Sequence, residues 1–188
     1  MFSIGFPEKS DIEQILRIQN SVLIRNKSAE EKSHISKSGF LVTKLGSEDF
    51  EKAIDKNQQE NLFLVAKDSS NKVVGYFIAY DMNEIMKVYP QWFSETRINP
   101  VLLEKHRILY GMSLASDGSI RGVGRALDGE MFKLGKQKGY TLYIGEICEG
   151  PIKNEKSLNI HTQEFGMKKI SEYEDREGYK WGIYVKYL

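Results

Sequence analysis

The run Ser116-Asp117-Gly118-Ser119-Ile120-Arg121-Gly122-Val123-Gly124-Arg125-Ala126-Leu127 gathers glycines, small polar residues and two arginines just ahead of an apolar pattern of helical period. A helix that begins there leaves its first amide N–H groups without intrahelical partners and carries partial positive charge, so it favours anions. Glycine lets a phosphate come close to the backbone, and Arg121 and Arg125 add charge at the same place. The alternative role for Gly122 and Gly124 is to allow tight packing of the helix on a sheet. Two nucleotide loops are excluded by missing residues. A P-loop requires Lys and then Ser or Thr directly after its last glycine, and Gly124 is followed by Arg125 and Ala126. A dinucleotide fingerprint requires a third glycine, and Leu127 stands in that place.

Candidates for proton transfer lie elsewhere. Glu146 sits in Tyr143-Ile144-Gly145-Glu146-Ile147-Cys148, and an acid inside such an apolar stretch needs a compensating reason to be there. Glu149, Asp81 and His106 are further candidates, and each could equally be a solvated surface charge. The three histidines, His34, His106 and His161, are scattered, and Cys148 is the single cysteine. Neither a disulfide nor a zinc site can be assembled from them, and no metal is expected. Cys148 has no neighbouring base and reads as a core residue.

Charge and composition narrow the partners. With 27 Lys+Arg against 26 Asp+Glu the net charge is +1, and the aromatics do not alternate with a basic run, so nucleic acid is not an expected partner. The longest apolar run, Val73 to Tyr80, is far short of the roughly 20 residues that span a bilayer, and Glu8 and Lys9 interrupt the N-terminus before a signal region could form. No membrane partner is expected, and the protein reads as soluble and cytoplasmic. The 40% apolar content and mixed charges argue against disorder.

These residues must be held by a defined set of elements. Phe2 to Phe6 reads as a strand stopped by Pro7, and Ser10-Asp11-Ile12-Glu13 as a capping box opening a helix in which Ile12, Ile15, Leu16, Gln19, Val22 and Leu23 share a face. Arg25 to Gly39 is polar and weakly periodic, and a short helix follows Ser47. Asn61 to Ala66 and Lys72 to Tyr80 form a hairpin around Lys67 to Asn71. Residues 82–106, broken by Pro90 and Pro100, read as an insertion. A strand from Arg107 to Ala115 then leads through the glycine turn into a helix of about Arg121 to Lys138, ended by Gly139. Leu142 to Cys148 is a strand, Asn154 to Phe165 a helix, and Lys168 to Glu174 with Tyr179 to Tyr187 a closing pair. The order β-α-α-β-β-insert-β-α-β-α-β-β predicts one α/β domain over residues 1–188, its mixed central sheet flanked by helices.

That order, together with the glycine turn, resembles the GNAT superfamily of acyl-CoA N-acyltransferases. The family's pyrophosphate motif, Gln/Arg-x-x-Gly-x-Gly/Ala, falls on Ser119-Ile120-Arg121-Gly122-Val123-Gly124, with Ser119 replacing the leading residue. Downstream, Asn154 and Ser157 match an Asn-x-x-Ser/Ala helix, and Phe165-Gly166-Met167 stands for the usual Leu-Gly-Phe, with one residue more than usual between Ser157 and Gly166.

The resemblance implies transfer of an acyl group from acetyl-CoA to an amine by direct attack, with the pantetheine lying between two parted central strands. It assigns the pyrophosphate to Ser119 through Arg125, a pantetheine contact to Asn154, and stabilisation of the developing oxyanion to a backbone N–H at Leu114 or its neighbour. Asn154 could equally cap its helix. Glu146 is the preferred base, on a strand that the resemblance sets beside the acyl carrier. The family's usual acid, a tyrosine, is replaced by Thr162, and if the extra residue bulges the helix, His161 takes its place as general acid.

Tyr89, Trp92 and Phe93 of the insertion, with Ile35, Phe40 and Leu41, are candidate walls of the acceptor pocket, while Asp81, Glu84 and Glu95 could attract a cationic amine. The acceptor reads as a small-molecule or a peptide amine. A non-catalytic acyl-CoA sensor of the same fold, transfer of a longer acyl group, and transfer to a hydroxyl are the alternatives, and the exposed edges of the last strand pair could join two subunits in a homodimer.

Overall fold

The apolar runs become the strands of one mixed sheet. In the computed structural model, which describes residues 1–57 and 61–188, the strands are β1 (Phe2–Gly5), β2 (Asn61–Asp68), β3 (Val73–Asp81), β4 (Ile108–Ser116), β5 (Leu142–Gly150), β6 (Lys168–Glu174) and β7 (Lys180–Tyr187). Their order in the seven-stranded sheet is β1-β2-β3-β4-β5-β7-β6. Neighbours are antiparallel except β4 and β5, which are joined through a helical crossover and run parallel.

The helices are α1 (Ile12–Val22), α2 (Ala29–His34), α3 (Ser47–Asp55), α4 (Met82–Val88), α5 (Trp92–Thr96), α6 (Val101–Lys105), α7 (Val123–Gln137) and α8 (Glu155–Asn159). On α1, Ile12, Ile15 and Gln19 of the expected face are buried together with Ile18, while Leu16 and Val22 are half-buried against the same core. Gln19 on that face is satisfied in both directions by Leu45, donating to its carbonyl at 2.8 Å and accepting its N–H at 2.9 Å, which ties the segment before α3 to the helix. The predicted insertion contains α4, α5 and α6, and Tyr89-Pro90-Gln91 separates the first two because proline cannot continue the hydrogen-bond ladder.

Two helix starts differ from expectation. The N–H of Glu8 donates to Asp11 Oδ2 at 2.8 Å, so the box lies two residues earlier than Ser10-x-x-Glu13 and opens a turn of 3-10 helix, Lys9–Asp11, ahead of α1. Asp11 is buried and paired with Lys67 Nζ at 2.8 Å, which holds its carboxylate in place to reach back. In the stretch read as aperiodic, Ser28 and Glu31 form a reciprocal box that starts α2, with N–H to side-chain distances of 2.8 and 3.2 Å.

The feature that creates a site is the junction of β4 and β5. The two strands pair from Ile108–Leu142 to Gly111–Gly145 and no further, although each continues for several residues. Opposite the end of that pairing, the ladder between β3 and β4 skips Met112: Ala79 pairs with Gly111 and Ile78 with Ser113. An extra residue of this kind bends its strand. Beyond Gly111 the β5-facing edge of β4 has no ladder partner, and a cleft opens.

Candidate active site

The cleft is a cavity of about 280 Å³. Its walls are Met112 to Ser116 of β4, Gly145 to Cys148 of β5, Gly124 and Asp128 of α7, Asn154, Ser157 and His161 after β5, Ser38 to Thr43 ahead of α3, and Tyr173, Asp175 and Trp181 of the closing hairpin. Leu114 lies beyond the last β4–β5 pair, on the stretch whose β5-facing edge is unpaired.

The glycine turn opens α7 as predicted. Gly118 and Gly122 have φ of +78° and +89°, a region that favours glycine. A Cβ on Gly122 or Gly124 would meet nothing within 4 Å. These glycines are therefore not packing devices, and their open side is available for close approach. The packing role belongs to Gly75 on β3, where a Cβ would come 2.5 Å from Val123 Cγ1. The intrahelical ladder reaches Ala126, whose N–H donates to Gly122 O at 3.0 Å.

Some side chains of the turn are already engaged. The N–H and hydroxyl of Ser119 both donate to Asp117 Oδ1, at 2.9 and 2.6 Å. Arg125 grips Glu164 with two contacts of 2.5 and 2.6 Å. Arg121 is exposed, and Ile120 is half-buried against the core. Asn154 caps α8, its Oδ1 accepting from Ser157 N–H at 3.3 Å, while its Nδ2 donates to Phe40 O at 2.9 Å. It is buried in the cavity wall, and its cap fixes where the helix begins.

Glu146 faces the cavity from β5 and accepts from Trp92 Nε1 and Tyr173 OH, both at 2.7 Å. Burial raises its pKa, opposed by the hydrogen bonds from Tyr173, Trp92 and Tyr110. The insertion thus reaches the site through one residue, Trp92, which acts on the carboxylate rather than on the cavity surface. Phe93 is buried beside Trp92 in the core, and Tyr89 donates to Glu95.

The other base candidates are spent or remote. Glu149 accepts from Tyr184 and from Lys169 Nζ at 2.7 Å; burial raises its pKa, but these partners outweigh burial and lower it. His106 contacts Thr141 Oγ1 at 3.1 Å, before β5 begins. Asp81 caps α4 and pairs with Arg107 at 3.3 Å, and Glu84 binds Lys87. Neither acid lines the cavity. The acidic and aromatic surface there is Glu146 and Asp175 with Tyr110, Tyr173 and Trp181, and Asp175 is fixed by Trp181 Nε1 at 2.8 Å. Tyr173, Asp175 and Trp181 escaped sequence reading because only the sheet order sets β7 beside β5, with β6 on its far side. Phe40 and Leu41 line the cavity; Ile35 is buried outside it.

The residue in excess between Ser157 and Gly166 is absorbed by a π-helical turn, Ile160–Glu164, closed by Phe165 N–H to Ile160 O at 3.1 Å. This wider turn carries His161 into the cavity wall, whereas Thr162 spends its hydroxyl on Leu158 O at 2.8 Å. His161 is buried against Asp128 of α7, with Nε2 3.3 Å from Oδ1. Burial works against a charged His161, but the Asp128 carboxylate outweighs it and raises the pKa. Cys148 is buried, and desolvation pushes its thiol up to about 11, as a core residue requires. Among the described residues no cluster suited to a metal ion is found, and no helix is long and apolar enough to cross a membrane.

No protein-family model and no curated protein sequence matches the chain. Solved structures do. Ard1 from Thermoplasma volcanium superposes with a TM-score of 0.67 at 14% identity, over 100% of this chain and 97% of that one. NAA60 from Arabidopsis thaliana, solved in complex with acetyl-CoA, gives 0.67 at 12% identity over 100% and 99%. A GCN5-related N-acetyltransferase from Kribbella flavida gives 0.64 at 17% identity over 100% and 98%. From the parted central strands to the closing hairpin, the chain has the fold of the GNAT N-acetyltransferases.

Proposed function

We propose that the protein is an N-acetyltransferase that moves an acetyl group from acetyl-CoA to a primary amine by direct attack. The observation that carries this reading is the coincidence of a β4–β5 cleft with a helix start whose glycines face open space. Both are what a thioester carrier with a pyrophosphate would need, and no metal is required. The N–H groups of Gly122, Val123, Gly124 and Arg125 would hold the pyrophosphate through the backbone. Ser119 and Ile120 shape the loop, and Arg121 supplies exposed charge. Asn154 fixes the start of α8 beside the pantetheine path.

At the reacting end, a backbone N–H of the unpaired β4 edge, at Leu114 or its neighbour, faces the developing oxyanion. Glu146 removes a proton from the acceptor ammonium, a task favoured by a carboxylate whose pKa burial has raised. Glu146 and Asp175 together, walled by Tyr110, Tyr173 and Trp181, suit a cationic amine, whether a small molecule or a peptide. His161 is the proton source for the departing thiolate.

Isothermal titration with acetyl-CoA, followed by thiol release against a polyamine, an amino-acid amide and a lysine-containing peptide, tests the reading. Micromolar binding with release on one amine class is expected. Gly124→Val should fold normally, since its Cβ meets open space, and should lose at least about 100-fold in acetyl-CoA affinity, the worth of roughly two charge-assisted hydrogen bonds. Unchanged affinity removes the pyrophosphate assignment. Binding without release on any amine would favour an acyl-CoA sensor.

A further inference from the structure

Asp128 is fully buried, lines the cavity from α7, and neither of its carboxylate oxygens receives an aligned hydrogen bond. Its partner is His161 Nε2, 3.3 Å from Oδ1. The other ring nitrogen, Nδ1, stands 2.7 Å from the carbonyl oxygen of Ser157 and 3.2 Å from the Ser157 hydroxyl. A carbonyl oxygen only accepts, so Nδ1 carries a hydrogen. Ser157 Oγ, facing that same N–H, accepts too, and its own hydrogen is turned away from the ring. Ser157 is half-buried and lines the cavity, so the hydroxyl has the cavity to point into.

We infer that Ser157, His161 and Asp128 form a proton relay in which the Ser157 hydroxyl is the group that protonates the departing CoA thiolate. The inference rests on the acetyl-transfer reading above. As the carbon–sulfur bond breaks, its electron pair stays on sulfur. Ser157 gives its hydroxyl proton to sulfur, forming the S–H bond, and takes the Nδ1 proton of His161 in return. The imidazolium becomes a neutral imidazole that keeps Nε2–H toward Asp128. The acceptor nitrogen gives up two protons in succession at Glu146, which passes each to solvent, and solvent returns one to His161, so each turnover releases one proton.

Asp128 acts through His161 and is a positioning residue: it keeps the imidazole charged and turned. The other groups around the pair do not compete for that role. Glu164 on the same turn is gripped by Arg125, Tyr143 of β5 is held neutral by burial and by the Asp128 charge, and Lys186 of β7 donates to Phe165 O at 2.8 Å. A buried carboxylate left short of donors is costly to keep, and a place in the proton path accounts for its retention.

With the amine that gives release in the screen, Ser157→Ala is expected to lower kcat about 100-fold at unchanged KM for acetyl-CoA, and Ser157→Thr, which keeps the hydroxyl, to recover most of it. Asp128→Asn should move the alkaline limb of kcat to lower pH, and the His161 titration, followed by NMR, to a midpoint at least about one pH unit lower. Two readouts need no turnover: that NMR titration, and the titration of bound CoA by thiolate absorbance, where loss of the Ser157 donor should raise the thiol pKa. Unchanged kcat and thiol titration in Ser157→Ala, or an unmoved His161 titration in Asp128→Asn, would overturn the relay. Failure of the wild-type protein to bind acetyl-CoA would instead overturn the acetyl-transfer reading.

Discussion

Glu146 on β5 and Asp128 on α7 face the same cavity, and burial raises the pKa of both carboxyl groups. Their surroundings then diverge. Glu146 accepts hydrogen bonds from Trp92 and Tyr173, one on each oxygen, while Asp128 has an imidazole beside it and no aligned donor on either oxygen. Neutral donors stabilise a carboxylate without surrendering their hydrogens, so the bonds to Glu146 oppose the rise that burial causes. The Asp128 carboxylate favours the charged form of His161, and an imidazolium can release its proton elsewhere. On the proposed mechanism the strand side of the cavity would accept protons and the helix side would supply them, a difference of partner rather than of burial.

The largest consequence of that difference is expected at Glu146. Glu146→Gln preserves shape and both neighbours, because the amide oxygen can still accept from Trp92 Nε1 while its NH2 donates to Tyr173. It removes only the proton acceptor, so kcat/KM for the amine should fall about 10²- to 10⁴-fold, with acetyl-CoA affinity unchanged by titration. The acid limb of the pH profile should disappear with it. A variant that keeps the wild-type acid limb would assign the base elsewhere and dissolve the contrast between the two carboxylates.

A smaller effect sharpens the same contrast. Tyr173→Phe removes one donor to Glu146 and leaves Trp92 and Tyr110, and a hydrogen bond to a charged group is worth about 1.5–3 kcal/mol. The loss raises the carboxyl pKa further, so the acid limb of kcat/KM should move upward by roughly one to two pH units. The direction is fixed: a base that must be ionised works only above its pKa. Trp92→Phe should shift the limb in the same sense, showing that the helices between β3 and β4 act on the reaction through this one indole. A limb that stays in place would mean that the two donors serve the core and not the carboxylate.

How much of this was legible before the fold was known depends on whether the signal is local. The glycine turn, the hairpin around Lys67 to Asn71 and the crossover helix are written in neighbouring residues, and they set the strand order in which β4 and β5 part. Glu146 announced itself as an acid among apolar neighbours. The excess residue before Gly166 could be counted, but only the backbone shows it as a π-helical turn that brings His161 inward. Asp128 left a trace: it stands four residues after Gly124, next to Leu127 on a helix whose apolar side was otherwise clear. The closing hairpin left none, since Tyr173 and Asp175 reach Glu146 and the cavity through a strand order that no local pattern encodes.

The smallest effect separates the two carboxylates by stability alone. Asp128→Asn offers His161 an amide oxygen for its Nε2–H or an amide N–H for a bare Nε2, and the second suits a neutral imidazole whose Nδ1–H already donates to Ser157 O. At pH 8 this variant should be at least as stable as the wild type, because it no longer buries an anion short of donors. Lowering the pH reverses the order. In the wild type the folded pKa of His161 is raised, so that histidine adds stability present below its unfolded value and lost as pH rises through the folded one. In Asp128→Asn a buried imidazole without a counter-charge has a depressed pKa, and stability falls as pH drops through the unfolded value near 6.5. The two denaturation curves, measured from pH 8 to pH 5, should therefore cross. From pH 8 to an acid end below both folded His161 pKa values, their separation should change by about 1.4 kcal/mol for every pH unit between those two values. Glu146→Gln has no histidine to strand and should give a curve that stays on one side of the wild type. Parallel curves for Asp128→Asn would mean that Asp128 and His161 are neighbours without a shared proton.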